Sequence, residues 1–121
     1  MMEIVAVVGA SPLEERYSNK AIRMLEDHGH TPIPVAPKYD TIEGKKVYSN
    51  LGDIQETVHT VTLYVGVTRQ EKIIEEIIQL KPKRVIFNPN TENPAVYGKL
   101  RAEGIEVQEA CTLVLLKTIQ Y

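Results

Sequence analysis

The sequence predicts an α/β domain: a parallel five-stranded sheet, wound in both directions from its first strand, with helices on both faces. Three observations carry this. Apolar spacing switches repeatedly along the chain between the twofold period of strands and the 3.6-residue period of helices. The first strand segment, Ile4-Val5-Ala6-Val7-Val8, is a continuous apolar, largely β-branched run, as suits a strand covered on both faces. Strands and helices also alternate, the arrangement that a parallel sheet with helical crossovers requires. Right-handed crossovers then give the strand order 3-2-1-4-5. A length of 121 residues suits one domain, spanning 1–121.

Each element has its own signals. The first strand stops at Gly9. Ser18 is placed to cap a helix with Ala21, Met24, Leu25 and His28 on its apolar side, stopped by Gly29. Thr31-Pro32-Ile33-Pro34-Val35-Ala36 is extended, and its two prolines require that one side of this strand be weakly paired. Residues 37–58 read as irregular, with turns at Glu43-Gly44 and Asn50-Leu51-Gly52 and a helical turn capped by Asp53. Val61 to Val67 forms the third strand. A helix starting at Thr68 turns Ile73, Ile74, Ile77 and Ile78 inward and Glu71, Lys72, Glu75, Glu76 and Gln79 to water, and Pro82 closes it. Arg84-Val85-Ile86-Phe87 is the fourth strand, 94–102 a helix stopped by Gly104, and 105–107 the fifth strand. The apolar tail 113–119 fits either a helix or a strand, helix first, packed on the core, with self-association as the alternative.

Composition excludes several classes. Fourteen Lys and Arg against sixteen Asp and Glu leave a formal charge of −2, unlike a nucleic-acid binder, which displaces counterions with clustered cations. No apolar run approaches the ~18 residues of a membrane span, and the first residues lack a signal-peptide pattern, so a cytoplasmic protein is expected. Cys111, the single cysteine, rules out an internal disulfide or a cysteine-cluster metal site.

In doubly wound sheets, ligands bind beyond the carboxyl ends of the strands where the winding reverses. The loop after the first strand runs Gly9-Ala10-Ser11-Pro12-Leu13-Glu14-Glu15-Arg16-Tyr17-Ser18. Gly9 permits a sharp turn that brings N–H groups near a ligand, while Ser11, Arg16 and Ser18 supply side-chain donors. With the start of a helix following, this is a phosphate-binding loop. It lacks the three glycines of the dinucleotide fingerprint, and the second strand closes on Pro37-Lys38 without a ribose-binding acid, which disfavours NAD. Lys38 suits a second phosphate instead. A nucleotide with an extra ribose phosphate fits, coenzyme A ahead of NADP.

Val7-Val8-Gly9-Ala10-Ser11-Pro12, Arg16-Tyr17-Ser18-Asn19-Lys20, His28-Gly29-His30 and Pro34-Val35-Ala36-Pro37 together resemble the small stand-alone CoA-binding proteins. Those in turn resemble the nucleotide-binding domain of the succinyl-CoA synthetase α subunit. Ile42 to Tyr48 and Leu51-Gly52-Asp53-Ile54 extend the likeness over nearly the whole chain. The resemblance implies a Rossmann-like fold in which Gly9, Ala10, Ser11 and Pro12 wrap the CoA pyrophosphate, assisted by Arg16 and Ser18. It further implies that Lys38 approaches the ribose 3′-phosphate, and that Val65, Gly66, Asn88, Pro89 and Asn90 line the rest of the groove. The chain departs from the family's usual residues at Ala36-Pro37, Val67-Thr68-Arg69 and Phe87-Asn88-Pro89-Asn90-Thr91.

Catalytic signals are sparse. Enzymes with this kind of domain, as the resemblance implies, phosphorylate a histidine in another domain. Here His28, His30 and His59 read as structural or surface residues, without the third ligand a zinc site needs. Cys111 reads as a small buried residue, with thiol–disulfide exchange against CoA as the reactive alternative. The expected function is binding of CoA or an acyl-CoA by a sensor, carrier or accessory protein without catalytic residues or metal of its own. It would act as a homodimer or with a protein partner. The alternatives are an NADP- or other nucleotide-using enzyme, with Tyr17, Tyr64 or Tyr97 as proton donor, and a degenerate domain that binds proteins.

Overall fold

The computed structural model describes residues 2–121. In chain order the elements are β1 (Ile4–Val8), α1 (Tyr17–Asp27), β2 (Thr31–Val35), a two-stranded hairpin of β3 (Thr41–Ile42) and β4 (Lys45–Lys46), β5 (Thr60–Leu63) and α2 (Glu71–Leu80). Then follow β6 (Arg84–Phe87), α3 (Tyr97–Ala102), β7 (Glu106–Glu109) and α4 (Thr112–Lys117). Single 3₁₀ turns occupy Leu51–Asp53, Val67–Arg69 and Pro94–Val96.

Five parallel strands form one sheet in the order β2-β1-β5-β6-β7. Outside β2 lies a single parallel bridge, Val35 to Tyr48. Counting Tyr48 as third, the order reads 3-2-1-4-5-6, which keeps the 3-2-1-4-5 winding; the strand at Thr60–Leu63, expected in third place beside β2, stands fourth, across β1. The prolines explain the stunted third strand. Odd-numbered groups of β2 face β1: Thr31 N–H donates to Glu3 O, and Val35 O accepts from Gly9 N–H. Pro32 and Pro34 therefore turn their missing donors outward. Only Tyr48 finds a pairing there, donating to Pro34 O and accepting from Ala36 N–H.

Side-chain alternation along β1 builds a core on each face. Ala6 and Val8 join Leu51, Val61, Leu63, Ile74, Ile77, Phe87 and Leu100 beneath α2 and α3. Val5 and Val7 join Ile22, Leu25 and Leu116 beneath α1 and α4. Leu113, Leu115 and Leu116 are buried, so the tail is a helix packed on the core, although Val114 and Ile119 remain exposed.

Several boundaries move. Ser18 does not cap α1: Arg16 holds the cap position, and Ser18 is buried within the first turn. His28 is exposed at the helix C-terminus, and Ile22 takes the place expected for it in the core. Gly29 ends the helix as its φ of +86° requires, with Gly29 N–H on Glu26 O and His30 N–H on Leu25 O. The strand expected to run to Val67 stops at Leu63, after which Tyr64 and Val65 cross over Gly9. α2 accordingly begins at Glu71, not Thr68. At the opposite edge of the sheet, buried Arg84 donates to Thr60 Oγ1, Gln108 Oε1 and the Tyr121 backbone oxygen, which fastens the tail. Among the described residues no helix is long and apolar enough to cross a membrane.

Candidate functional site

Gly9 is the hinge of the site. Its φ is +88°, and a Cβ there would stand 2.9 Å from Val65 Cγ2 and 3.0 Å from the Tyr64 carbonyl oxygen. Only glycine meets both conditions without displacing backbone. The N–H groups of Gly9 and Ala10 both donate to Val35 O, at 3.0 and 3.2 Å, so they anchor the loop to β2 and are not offered to a ligand. The free donors lie further along. Lys20 N–H makes the first bond of α1, to Arg16 O, and among the described residues the N–H groups of Tyr17, Ser18 and Asn19 have no acceptor.

Buried Asn19 holds this loop in shape. Its Nδ2 donates to Ser11 O at 2.9 Å and to Glu43 Oε2 at 3.1 Å, and its Oδ1 accepts from Arg23 Nε at 2.8 Å. Arg23 also donates to Glu14 O at 2.7 Å. One side chain thus ties the loop to the β3-β4 hairpin, whose turn residues Glu43 and Gly44 both have positive φ. Asn19 falls within the Arg16-to-Lys20 motif, with no role expected for it. Its signal in the sequence is spacing: three residues before Ile22, it falls on the apolar side of α1, where it is fully buried.

The loop borders an open cleft of 930 Å³ at the carboxyl edge of the sheet, where the winding reverses. Of the residues expected there, Gly9, Ala10, Ser11, Arg16, Ser18, Lys38, Val65 and Asn90 line it. Pro12, Gly66, Asn88 and Pro89 do not. Pro12 and Pro89 face solvent. Asn88 is buried, with Nδ2 on Thr62 Oγ1 (2.7 Å) and Leu63 O (2.9 Å) and Oδ1 on Thr112 N–H (2.9 Å). Its hydrogen-bonding groups are engaged in joining β5, β6 and the start of α4 beneath the cleft. Fully buried Gln70 does similar work, donating to Val65 O and Thr91 O.

The far wall comes from residues not expected to line the groove: Asn50, Leu51, Arg69, Lys72, Ile73 and Glu76. Lys72 and Glu76 lie on the polar side of α2, which periodicity alone assigns to solvent; the neighbouring 3₁₀ turn at Leu51–Asp53 makes that side a wall. Arg16, Lys38, Arg69 and Lys72 face Glu15 and Glu76, so four cations oppose two acids and the cleft favours an anion. Lys72 is held by Asn50 Oδ1 at 3.3 Å, while Arg16 and Lys38 have no ion-pair partner among the described residues.

The three tyrosines separate. Tyr17 and Tyr64 line the cleft. The Tyr64 hydroxyl is buried beside the Thr62 and Thr112 side chains with no partner within 3.5 Å among the described residues, and burial pushes its pKa up to about 12. Tyr97 lies away from the cleft, packed on Phe87 with ring centroids 4.8 Å apart and donating to Glu109 Oε2 at 2.8 Å. No histidine or cysteine is among the cleft residues. His28 Nδ1 sits 2.8 Å from Met24 O, and His30 Nδ1 accepts from Glu3 N–H. Among the described residues no three His, Cys, Asp or Glu side chains gather as a metal site would need.

The chain is similar to known proteins. The chain is 30% identical over 109 residues to acetate–CoA ligase (ADP-forming) I of Archaeoglobus fulgidus, matching 88% of this chain and spanning only 16% of that enzyme. It is 26% identical over 100 residues to an uncharacterised Bacillus subtilis protein, YneT, covering 83% of this chain and 74% of that one. The crystal structure of another uncharacterised protein superposes with a TM-score of 0.94 at 40% identity, over 100% of this chain and 99% of the other. The sequence pattern of the CoA binding domain matches residues 3–117, and the chain belongs to that family.

Proposed function

We propose that the protein is a cytoplasmic binder of CoA or an acyl-CoA, acting as a sensor, carrier or accessory protein without catalytic groups of its own. The observation that carries the reading is a net-cationic cleft at the switch point of a CoA binding domain, with free helix N–H groups at its rim. In this reading the N–H groups of Tyr17, Ser18 and Asn19, the Ser11 hydroxyl and Arg16 receive the pyrophosphate. Gly9 and Ala10 hold the loop in position and do not donate themselves. Lys38, on the loop after β2, meets the ribose 3′-phosphate. Val65 and Asn90 border the remaining path.

The residues present suit such a ligand. The close approach at Gly9 keeps the loop low against Tyr64 and leaves the cleft open above it.

Calorimetric titration with CoA, dephospho-CoA and NADP in parallel tests the proposal. CoA is expected to bind, and to bind more weakly without its 3′-phosphate. Arg16→Ala and Lys38→Ala are each expected to cost about 1–3 kcal/mol of CoA affinity, roughly 5- to 150-fold. The Lys38→Ala loss should vanish with dephospho-CoA. Absence of heat with all three ligands, or unchanged affinity in both variants, refutes the assignment.

A further inference from the structure

A second cavity, of 540 Å³, lies on the outer surface between α1 and α4. Its floor and sides are apolar, with Tyr17 and Met24 from α1 and Val114 from α4, and Tyr17 and Val114 are 61% and 53% exposed. Three cations ring it: Lys20, Arg23 and Lys117. No acidic residue lines it, on a chain whose overall charge is −2.

These charges are uncompensated. Lys20 and Lys117 have no ion-pair partner among the described residues. Among the described residues Arg23 bonds to neutral oxygens alone, the Asn19 amide and the Glu14 carbonyl. Lys20 Nζ stands 5.4 Å from the centroid of the Tyr17 ring, which keeps the ammonium beside the apolar floor. An apolar floor with a rim of one sign is the layout of a docking site for a segment of opposite sign.

We infer that this groove docks an acidic amphipathic segment of a partner protein, one that sets carboxylates beside an aromatic or branched aliphatic side chain. Charge complementarity selects this occupant over a second copy of the chain. A twofold contact through the groove would bring Lys20, Arg23 and Lys117 against their own symmetry mates. The inference does not rest on what the cleft binds: Lys20, Met24, Val114 and Lys117 are not cleft residues, while Tyr17 lines both sites and Arg23 also braces the cleft loop.

The test is selection from a displayed random-peptide library on the intact protein, counter-screened on a Lys20→Glu/Lys117→Glu variant and on Val114→Ser. Val114 is exposed, so its replacement keeps the fold; melting temperature and amide NMR spectra check both variants. Enriched peptides are expected to carry several Asp or Glu around an apolar anchor and to shift amide signals over residues 17–24 and 111–117. Binding should weaken with salt and fall by about tenfold or more in the charge-reversed variant. No enrichment, enrichment of neutral or basic peptides, equal binding to both variants, or dimerisation of the protein through this face would overturn the inference.

Discussion

Replacing Gly9 by alanine separates two costs that the structure assigns to one position. The first is conformational: at φ +88° an L residue costs about 1–2 kcal/mol relative to glycine. The second is steric. The new Cβ would lie 2.9 Å from Val65 Cγ2 and 3.0 Å from the Tyr64 carbonyl oxygen, and a main-chain carbonyl cannot rotate away as a flexible side chain can. Overpacking of this kind costs about 1–3 kcal/mol. Gly9→Ala is therefore expected to lose about 2–5 kcal/mol, and Tm is expected to fall by roughly 10 °C or more. Gly29→Ala supplies the control: its φ is +86°, yet a Cβ there meets nothing within 4 Å. It should lose only the conformational part, about 1–2 kcal/mol. Urea unfolding of both variants, with matching m-values, measures the difference. Equal losses in the two would refute the argument, because the crossing of Tyr64 and Val65 over Gly9 would then exert no steric constraint. The Gly9 variant should also lose CoA affinity, since relief of the clash pulls the Gly9 and Ala10 amides away from Val35 O and shifts the loop.

Three other consequences follow from the same contacts. Asn88→Leu strands Leu63 O and Thr112 N–H without their partner, and should destabilise by about 2–4 kcal/mol in chemical denaturation. Tyr64→Phe deletes a buried hydroxyl that has no partner, so stability should hold or rise; a loss above about 1 kcal/mol would reveal a bond to that hydroxyl. Burial lowers the His30 pKa below 6.5, and its neutral Nδ1 accepts from Glu3 N–H. The folded state therefore binds fewer protons there than the unfolded chain, and this stability, complete well above pH 6.5, is lost as pH falls through 6.5 towards the depressed value. His30→Gln should flatten that part of the stability–pH curve, read as Tm between pH 5 and 8.

The fold was legible because its determinants are local in sequence. Continuous β-branched runs, an isoleucine stripe at helical spacing and stop residues at Gly29 and Pro82 each state an element without reference to the rest of the chain. The prolines of β2 even declared a poorly paired side, and Tyr48's lone bridge is what occupies it. The loop bordering the cleft was legible for the same reason: Gly9, Ser11 and Arg16 lie between β1 and α1 and Lys38 lies just beyond β2, and the winding rule sends such loops to one edge.

Tertiary structure decided which groups of that edge are available. Gly9 and Ala10 look like ligand donors until Val35 O takes both their N–H groups, a contact made across strands far apart in sequence. Asn88 looks like a groove residue until Thr62, Leu63 and Thr112 converge on its side chain from two other elements. Lys72 and Glu76 sit on the polar side of their helix and become a cleft wall only because the Leu51–Asp53 turn packs beside them. Periodicity reports which side of an element avoids water; it carries no record of what else packs there. The sequence by itself therefore determined the layers, a doubly wound parallel sheet and the edge where its strand-to-helix loops gather, while the folded chain put Tyr48 and not the Thr60–Leu63 strand outside β2. Only the folded chain assigned each polar group either to holding the site together or to facing what enters it, because that assignment depends on partners that meet across strand and helix boundaries.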